Sequence, residues 1–158
     1  MRMLGISDVV EGLPGPDIMI WSIHLYPKEP GGRRFSSWHQ DWAHWGPNNN
    51  KTLNVCIALT EAKEADGSIR MLPGSHEGGL GPENILTRKQ TIDAEIDEYR
   101  AIWTTLWPKE GLLHYMDMWH VSKPNETEDR WVGLALRYIT QEARQQRIET
   151  DFTTLVRG

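Results

Sequence analysis

The chain has 158 residues, of which 39% are hydrophobic and 25% charged, and a formal net charge of −5. That length suits one domain with a single core, and the composition is that of a globular protein rather than a disordered chain. No apolar run approaches the roughly 20 residues that span a bilayer, and lysines and arginines scattered under a net negative charge argue against a nucleic-acid footprint. A small molecule is the expected partner, with no nucleic acid and no membrane. The single cysteine, Cys56, cannot form an intrachain disulfide, and the opening MRMLGISDVVEGLPG lacks the charged-then-apolar pattern of a signal peptide. A cytoplasmic setting is the expectation.

Alternation with period two runs through most interpretable segments, the mark of strands with one buried face. The first is expected over 17–26 (DIMIWSIHLY), ending at Pro27 and the PKEPGG loop. The second spans 52–60 (TLNVCIALT), with Leu53, Val55, Ile57 and Leu59 on one face and Asn54, Cys56 and Ala58 on the other. A short third covers 68–72 and stops at the PGSH turn. A helix is expected over 92–106, where Ile92, Ile96, Tyr99 and Trp103 fall near helical spacing, and the charged run 88–100 reads as its solvated face. Strands follow over 111–121 (GLLHYMDMWHV) and 130–140 (RWVGLALRYIT), and the polar tail after Gln141 reads as a short helix or disorder. Several short strands with Gly and Pro turns and little helix predict a mainly β protein, a sandwich or barrel with a few flanking helices.

The second and last strands pair a bulky apolar face with small or polar residues: Asn54, Cys56 and Ala58, then Gly133 and Ala135. Small inward residues leave volume for a ligand; close backbone packing would give the same pattern.

Six histidines are present: His24, His39, His44, His76, His114 and His120. In SSWHQDWAHWG, His39 and Asp41 stand two apart, and residues i and i+2 on a strand share a face. Two histidines and one carboxylate that leave coordination positions open are the usual non-haem iron(II) arrangement. A bare His-x-Asp is also what a hydrogen-bonded surface pair looks like, and the third ligand must come from a distant segment.

The runs SWHQDWAHWG, VCIALTEAKEADGSIRMLPGSHEGGL and HVSKPNETEDRWVGLALRYI, in that order over roughly residues 15–140, resemble the phytanoyl-CoA dioxygenase family of iron(II) and 2-oxoglutarate-dependent oxygenases. The resemblance implies a double-stranded β-helix, a jelly-roll, cupin-like barrel. It makes His39, Asp41 and His120 the metal ligands, with iron(II) as metal and 2-oxoglutarate as cosubstrate. Each ligand histidine then needs an acceptor that fixes its other N–H.

In such proteins the far carboxylate of 2-oxoglutarate pairs with an arginine eleven residues after the distal histidine. Here that position is Trp131. Arg130 is one residue early and on a regular strand points to the opposite face, unless a bulge brings it back. Arg137 shares the parity of Trp131. A second departure is Cys56, where the family carries tryptophan, so Trp131 is expected to take up volume vacated there. Ser122, Lys28 and His24 match positions near the cosubstrate, and Asn54 is counted with them.

Trp42, Trp45 and His44 read as a substrate rim or as cover for an exposed sheet. His114, six residues before His120 on the same expected strand, lines the pocket or is a satisfied interior histidine. With Trp131 these form the substrate-pocket set Trp42, Trp45, His114 and Trp131. His76 in the PGSH turn reads as structural, and Pro124 and Asn125 as shaping the loop after His120.

The resulting expectation is one oxygenase-like domain over 1–158, lacking the family's usual N-terminal region, that hydroxylates an unactivated C–H bond of a small organic molecule with dioxygen. Asp41 in place of Gly or Ala leaves no halide position, so hydroxylation is preferred over halogenation. The alternatives are a metal-binding member with lost or altered 2-oxoglutarate use, and a cupin-like barrel holding zinc. A homodimer is expected if a sheet edge is left uncovered.

Overall fold

The computed structural model describes residues 4–13, 17–42, 51–78, 96–143 and 154–155. They form two antiparallel sheets. The first runs β6-β3-β8-β1-β9, with β1 Ile18–Lys28, β3 Thr52–Ala58, β6 Gly111–Tyr115, β8 Trp131–Thr140 and β9 Thr154–Leu155. The second runs β2-β7-β4-β5, with β2 Ser36–His39, β4 Ile69–Met71, β5 Ile102–Trp103 and β7 His120–Ser122. This is the mainly β architecture expected from the period-two segments and the jelly-roll-like arrangement that the family resemblance implies, with the two sheets not closed into one barrel.

The outer face of the larger sheet carries the main apolar core. Leu53, Val55 and Ile57 of β3 pack with Leu136 and Tyr138 of β8 and Ile18 of β1. Helix α1, Leu4–Glu11, lays Ile6 and Val10 on this layer, and Val10 is fully buried. The sequence reading missed α1; the i, i+4 pair Ile6 and Val10 was the available signal.

A β-bulge sets the face that matters for function. Ile18 and Ile20 pair with Thr140 and Tyr138, but Ser22 pairs with Arg137, so Trp21 is an extra residue. One inserted residue inverts the alternation beyond it. Ile18 and Ile20 therefore join the core layer, while Ser22, His24, Tyr26 and Lys28 lie opposite Arg137, Ala135, Gly133 and Trp131, on the other face. The strand also runs through Pro27 to Lys28 instead of ending at Pro27. The missing N–H of Pro27 costs little there, because among the described residues β1 has a second neighbour only at Met19 and Ile20.

Three other expectations are corrected. The segment 111–121 is not one strand: β6 joins the larger sheet and β7 the smaller, with a turn closed by Met118 N–H donating to Tyr115 O at 3.0 Å. The expected helix over 92–106 is absent from its described part, which is a single 3-10 turn, Glu98–Arg100, followed by β5. Tyr99 is fully exposed and Ile102 half exposed, so the apolar residues at helical spacing have no common face to bury. In the tail, Thr154–Leu155 forms a strand on β1 rather than helix or disorder. Residues 79–95 and 144–153 lie outside the described residues. No described helix is long and apolar enough to cross a membrane.

Candidate metal centre and cavity

Between the sheets lies a cavity of about 420 Å³. Its floor follows from register. His114, Asn54, Arg137 and Ser22 stand side by side across β6, β3, β8 and β1; the next row is Leu112, Cys56, Ala135 and His24; then come Ala58, Gly133 and Tyr26; last are Trp131 and Lys28. The polar row lies against the smaller sheet's histidines, and in the middle rows the β3 and β8 positions are small, Cys56, Ala58, Gly133 and Ala135, leaving the volume.

His39 ends β2 and lies opposite His120, which begins β7, and their ring centroids are 4.2 Å apart. Asp41 follows two residues beyond β2. Its Oδ1 is 3.5 Å from His39 Nε2, and its Oδ2 is 3.8 Å from His120 Nε2. One ligand atom from each of the three lies within 4.8 Å of the others. Both histidines are prepared alike: the Nδ1–H of His39 donates to Ser37 O at 2.7 Å and that of His120 to Met118 O at 2.9 Å. The carbonyl two residues upstream is the acceptor in each case, so each Nε2 is the ring nitrogen turned towards Asp41. Asn54 Nδ2 donates to Asp41 Oδ2 at 2.6 Å and orients the carboxylate.

The electrostatics agree with this. Burial would raise Asp41, but the hydrogen bond to His39 and the nearby imidazoles hold its carboxyl well below the usual range. Burial carries His120 down to about 3, against the pull of Asp41, so it is a neutral donor. Burial also lowers His39, but the Asp41 hydrogen bond and charge outweigh it and leave a net upward shift. Two neutral-capable imidazole nitrogens and one carboxylate oxygen on one side of a cavity suit a divalent metal that keeps open positions, and iron(II) fits this donor set.

His114 lines the cavity, its ring centroid 5.0 Å from that of His120, although the two sit on different strands and sheets. Its Nδ1 is held by Tyr115 O at 3.0 Å. Ser122 lines the cavity and shares a 3.0 Å hydrogen bond with Ser36, a partner the sequence reading missed. Lys28 is buried, and its Nζ donates to Gly67 O at 2.6 Å and to Lys123 O, beside Ser122. Gly67 makes that clasp possible, since a Cβ there would stand 2.9 Å from Lys28 Nζ and 2.2 Å from Lys123 O. Arg137 is buried in the cavity wall and donates to Ser22 Oγ at 3.1 Å and Tyr26 Oη at 2.5 Å.

Arg130 is placed elsewhere. No bulge in β8 brings it inward; it is exposed and its Nε pairs with Glu29 at 2.8 Å, away from the cavity. His24 is on the cavity face but exposed and not part of the lining. Trp42 does not line the cavity either; its backbone N–H donates to Met116 O at 3.2 Å. His44 and Trp45 lie outside the described residues. His76 stacks on Tyr115 in the PGSH turn.

Trp131 lines the cavity and packs with Ala58, Ala62 and Leu106, its ring folded over Gly133. It fills the row next to Cys56, so the space opposite Cys56 stays in the cavity. Burial pushes the Cys56 thiol up to about 12, with Asp41 adding and Arg137 opposing, so it is no thiolate ligand.

Comparison with known proteins follows the same lines. A model of the family described as phytanoyl-CoA dioxygenase (PhyH) matches residues 6–132. A protein of Stutzerimonas stutzeri named "Probable alpha-ketoglutarate-dependent hypophosphite dioxygenase" is 29% identical over 154 residues, covering 90% of this chain and 52% of the relative. The solved structure "non-heme monooxygenase; ThoJ apo" is 32% identical with a TM-score of 0.87, covering 98% of this chain and 58% of that one. EvdO2 from Micromonospora carbonacea var. aurantiaca, complexed with 2-oxoglutarate, shares the fold at 20% identity and a TM-score of 0.71, covering 90% and 61%. The chain thus spans about half the length of the curated relative. With four fifths of its residues inside the family model, the chain belongs to the phytanoyl-CoA dioxygenase family of non-haem iron, 2-oxoglutarate-dependent oxygenases.

Proposed function

We propose that this chain carries the active site of an iron(II) and 2-oxoglutarate-dependent dioxygenase that hydroxylates an unactivated C–H bond of a small organic molecule. The observation that supports the reading is the triad His39, Asp41 and His120, with both Nδ1 atoms committed to backbone carbonyls and both Nε2 atoms turned towards one carboxylate. When bound, iron with 2-oxoglutarate supplies the oxidation: one atom of dioxygen enters succinate with loss of carbon dioxide, and the other becomes the hydroxyl of the product.

The chain's own residues position and exclude. His39, Asp41 and His120 hold the metal, and Asn54 keeps the carboxylate turned towards it. Lys28 and Ser122 anchor the far carboxylate in place of the arginine that Trp131 replaces. In support, the Lys28 ammonium is held at Lys123 O, three residues beyond His120. At about 3.3 Å per extended residue that is roughly 10 Å along β7, a span suited to a five-carbon diacid bound to the metal at one end. Arg137, opposite Asn54, favours carboxylate at the metal end. The small middle rows leave room for the target carbon, and the buried walls keep water out.

The test is an anaerobic titration with iron(II) and then 2-oxoglutarate, watching for the weak visible band of the chelated complex. The band is expected in the unmodified chain and absent in His39→Ala, Asp41→Ala and His120→Ala. Iron binding without a band would overturn the reading in favour of a metal-binding member that does not use 2-oxoglutarate, the alternative that Trp131 favours.

A further inference from the structure

The cavity's charge says something about what enters it. Among the described residues, its lining contains three cations, Lys28, Arg34 and Arg137, against one carboxylate, Asp41. A chain with a formal charge of −5 has therefore gathered an excess of two positive charges in its cavity. An iron(II) ion and a 2-oxoglutarate dianion cancel each other, so the excess survives loading of the site. Asp66, held by Lys63 N–H outside the lining, offsets part of the Lys28 charge. Positive charge in a low-dielectric cleft is costly until an anion joins it.

Arg34 is the cation placed to meet an incoming ligand. It lines the cavity yet is exposed, in the loop before β2, and no carboxylate among the described residues pairs with it. Arg130, by contrast, lies outside the lining and is paired with Glu29. The rest of the lining is largely apolar, with Phe35 beside Arg34 and with Leu106, Leu112 and Trp131. A volume of about 420 Å³ is at the small-molecule end of ligand pockets.

We infer that the substrate is a small organic anion with an apolar body, its acidic group read at the cavity mouth by Arg34. Calling this ligand a substrate rests on the oxygenase reading above; the cavity's preference for an anion does not.

Hexanoate, hexylphosphonate and neutral hexanamide would be titrated by calorimetry into the full chain, both metal-free and loaded with Zn(II) and N-oxalylglycine. At least one acid is expected to bind tenfold or more tightly than the amide in both states, and the tighter of the two identifies carboxylate or phosphonate as the preferred group. Arg34→Gln should reduce the preference below threefold, and Arg34→Lys should keep most of it. Equal binding of acid and amide, no binding by any of the three, or an unchanged preference in Arg34→Gln would overturn the inference. If the 2-oxoglutarate band forms but acids are not preferred, the anion inference alone falls. If acids are preferred by the metal-free chain and no band ever forms, only the oxygenase reading falls.

Discussion

Lys28 combines a buried ammonium and a strand end with the part of the cavity proposed for the far carboxylate of the cosubstrate. Burial lowers it from 10.5 to about 8, with Asp66 opposing. Between those values the unfolded chain holds a proton that the folded chain has released, so stability should rise with pH from about 8 to 10.5, by on the order of 3 kcal/mol. Urea melts at pH 8 and pH 10 should show that rise in the unmodified chain and not in Lys28→Met; an equal rise in both would assign it to another group. The same variant should keep its metal affinity and weaken 2-oxoglutarate at least tenfold, and in the unmodified chain that affinity should decline above pH 8. Asn125 is a second single-residue support. Fully buried, it donates to Lys28 O at 3.1 Å and Asp129 O at 2.7 Å while accepting from Thr127. Asn125→Ala strands these groups and should cost roughly 2 kcal/mol in a denaturant melt. The loop-shaping role was legible from the Pro-Asn pair; the tie to β1 was not, because it spans 97 residues.

Among the elements, β8 shows how one strand serves two layers. Leu134, Leu136 and Tyr138 face the core under α1, while Trp131, Gly133, Ala135 and Arg137 face the cavity. Gly133 is small because a Cβ there would stand 2.9 Å from Cη2 and 3.0 Å from Cζ2 of Trp131. Gly133→Ala must displace the indole and should cost about 1–3 kcal/mol. Adding Trp131→Leu should return most of that loss; additive thermal-melt effects would show that the ring is not what Gly133 accommodates. The bulge at Trp21 does comparable work in β1, turning Tyr26 and Lys28 inward and leaving Ile23 and Leu25 about 60% exposed on the outside.

Across the molecule, the three residues that would hold the metal come from β2, the residues just after it, and β7, with Asn54 reaching in from the other sheet. Metal should therefore tie the two sheets and raise global stability. At a free metal concentration of 100 times Kd the gain is about 2.7 kcal/mol, a rise in Tm of several degrees for a chain of this size. Anaerobic iron(II) or manganese(II) should produce it in the unmodified chain, and Asp41→Ala should show none; an equal rise in both would place the bound metal elsewhere. Legible in the sequence alone are the β class, four of the strand segments, the small-residue stripe under the cavity and the contiguous His-x-Asp and His-x-Ser motifs. Each of these is a local pattern, readable from residues a few positions apart. Only the tertiary structure decided that Lys28 turns inward and Arg130 outward, that His114 and His120 sit on different sheets, and that Trp131 folds over Gly133. Those outcomes depend on which strands pair and on a one-residue bulge that inverts every face beyond it, and neither leaves a mark in the local alternation.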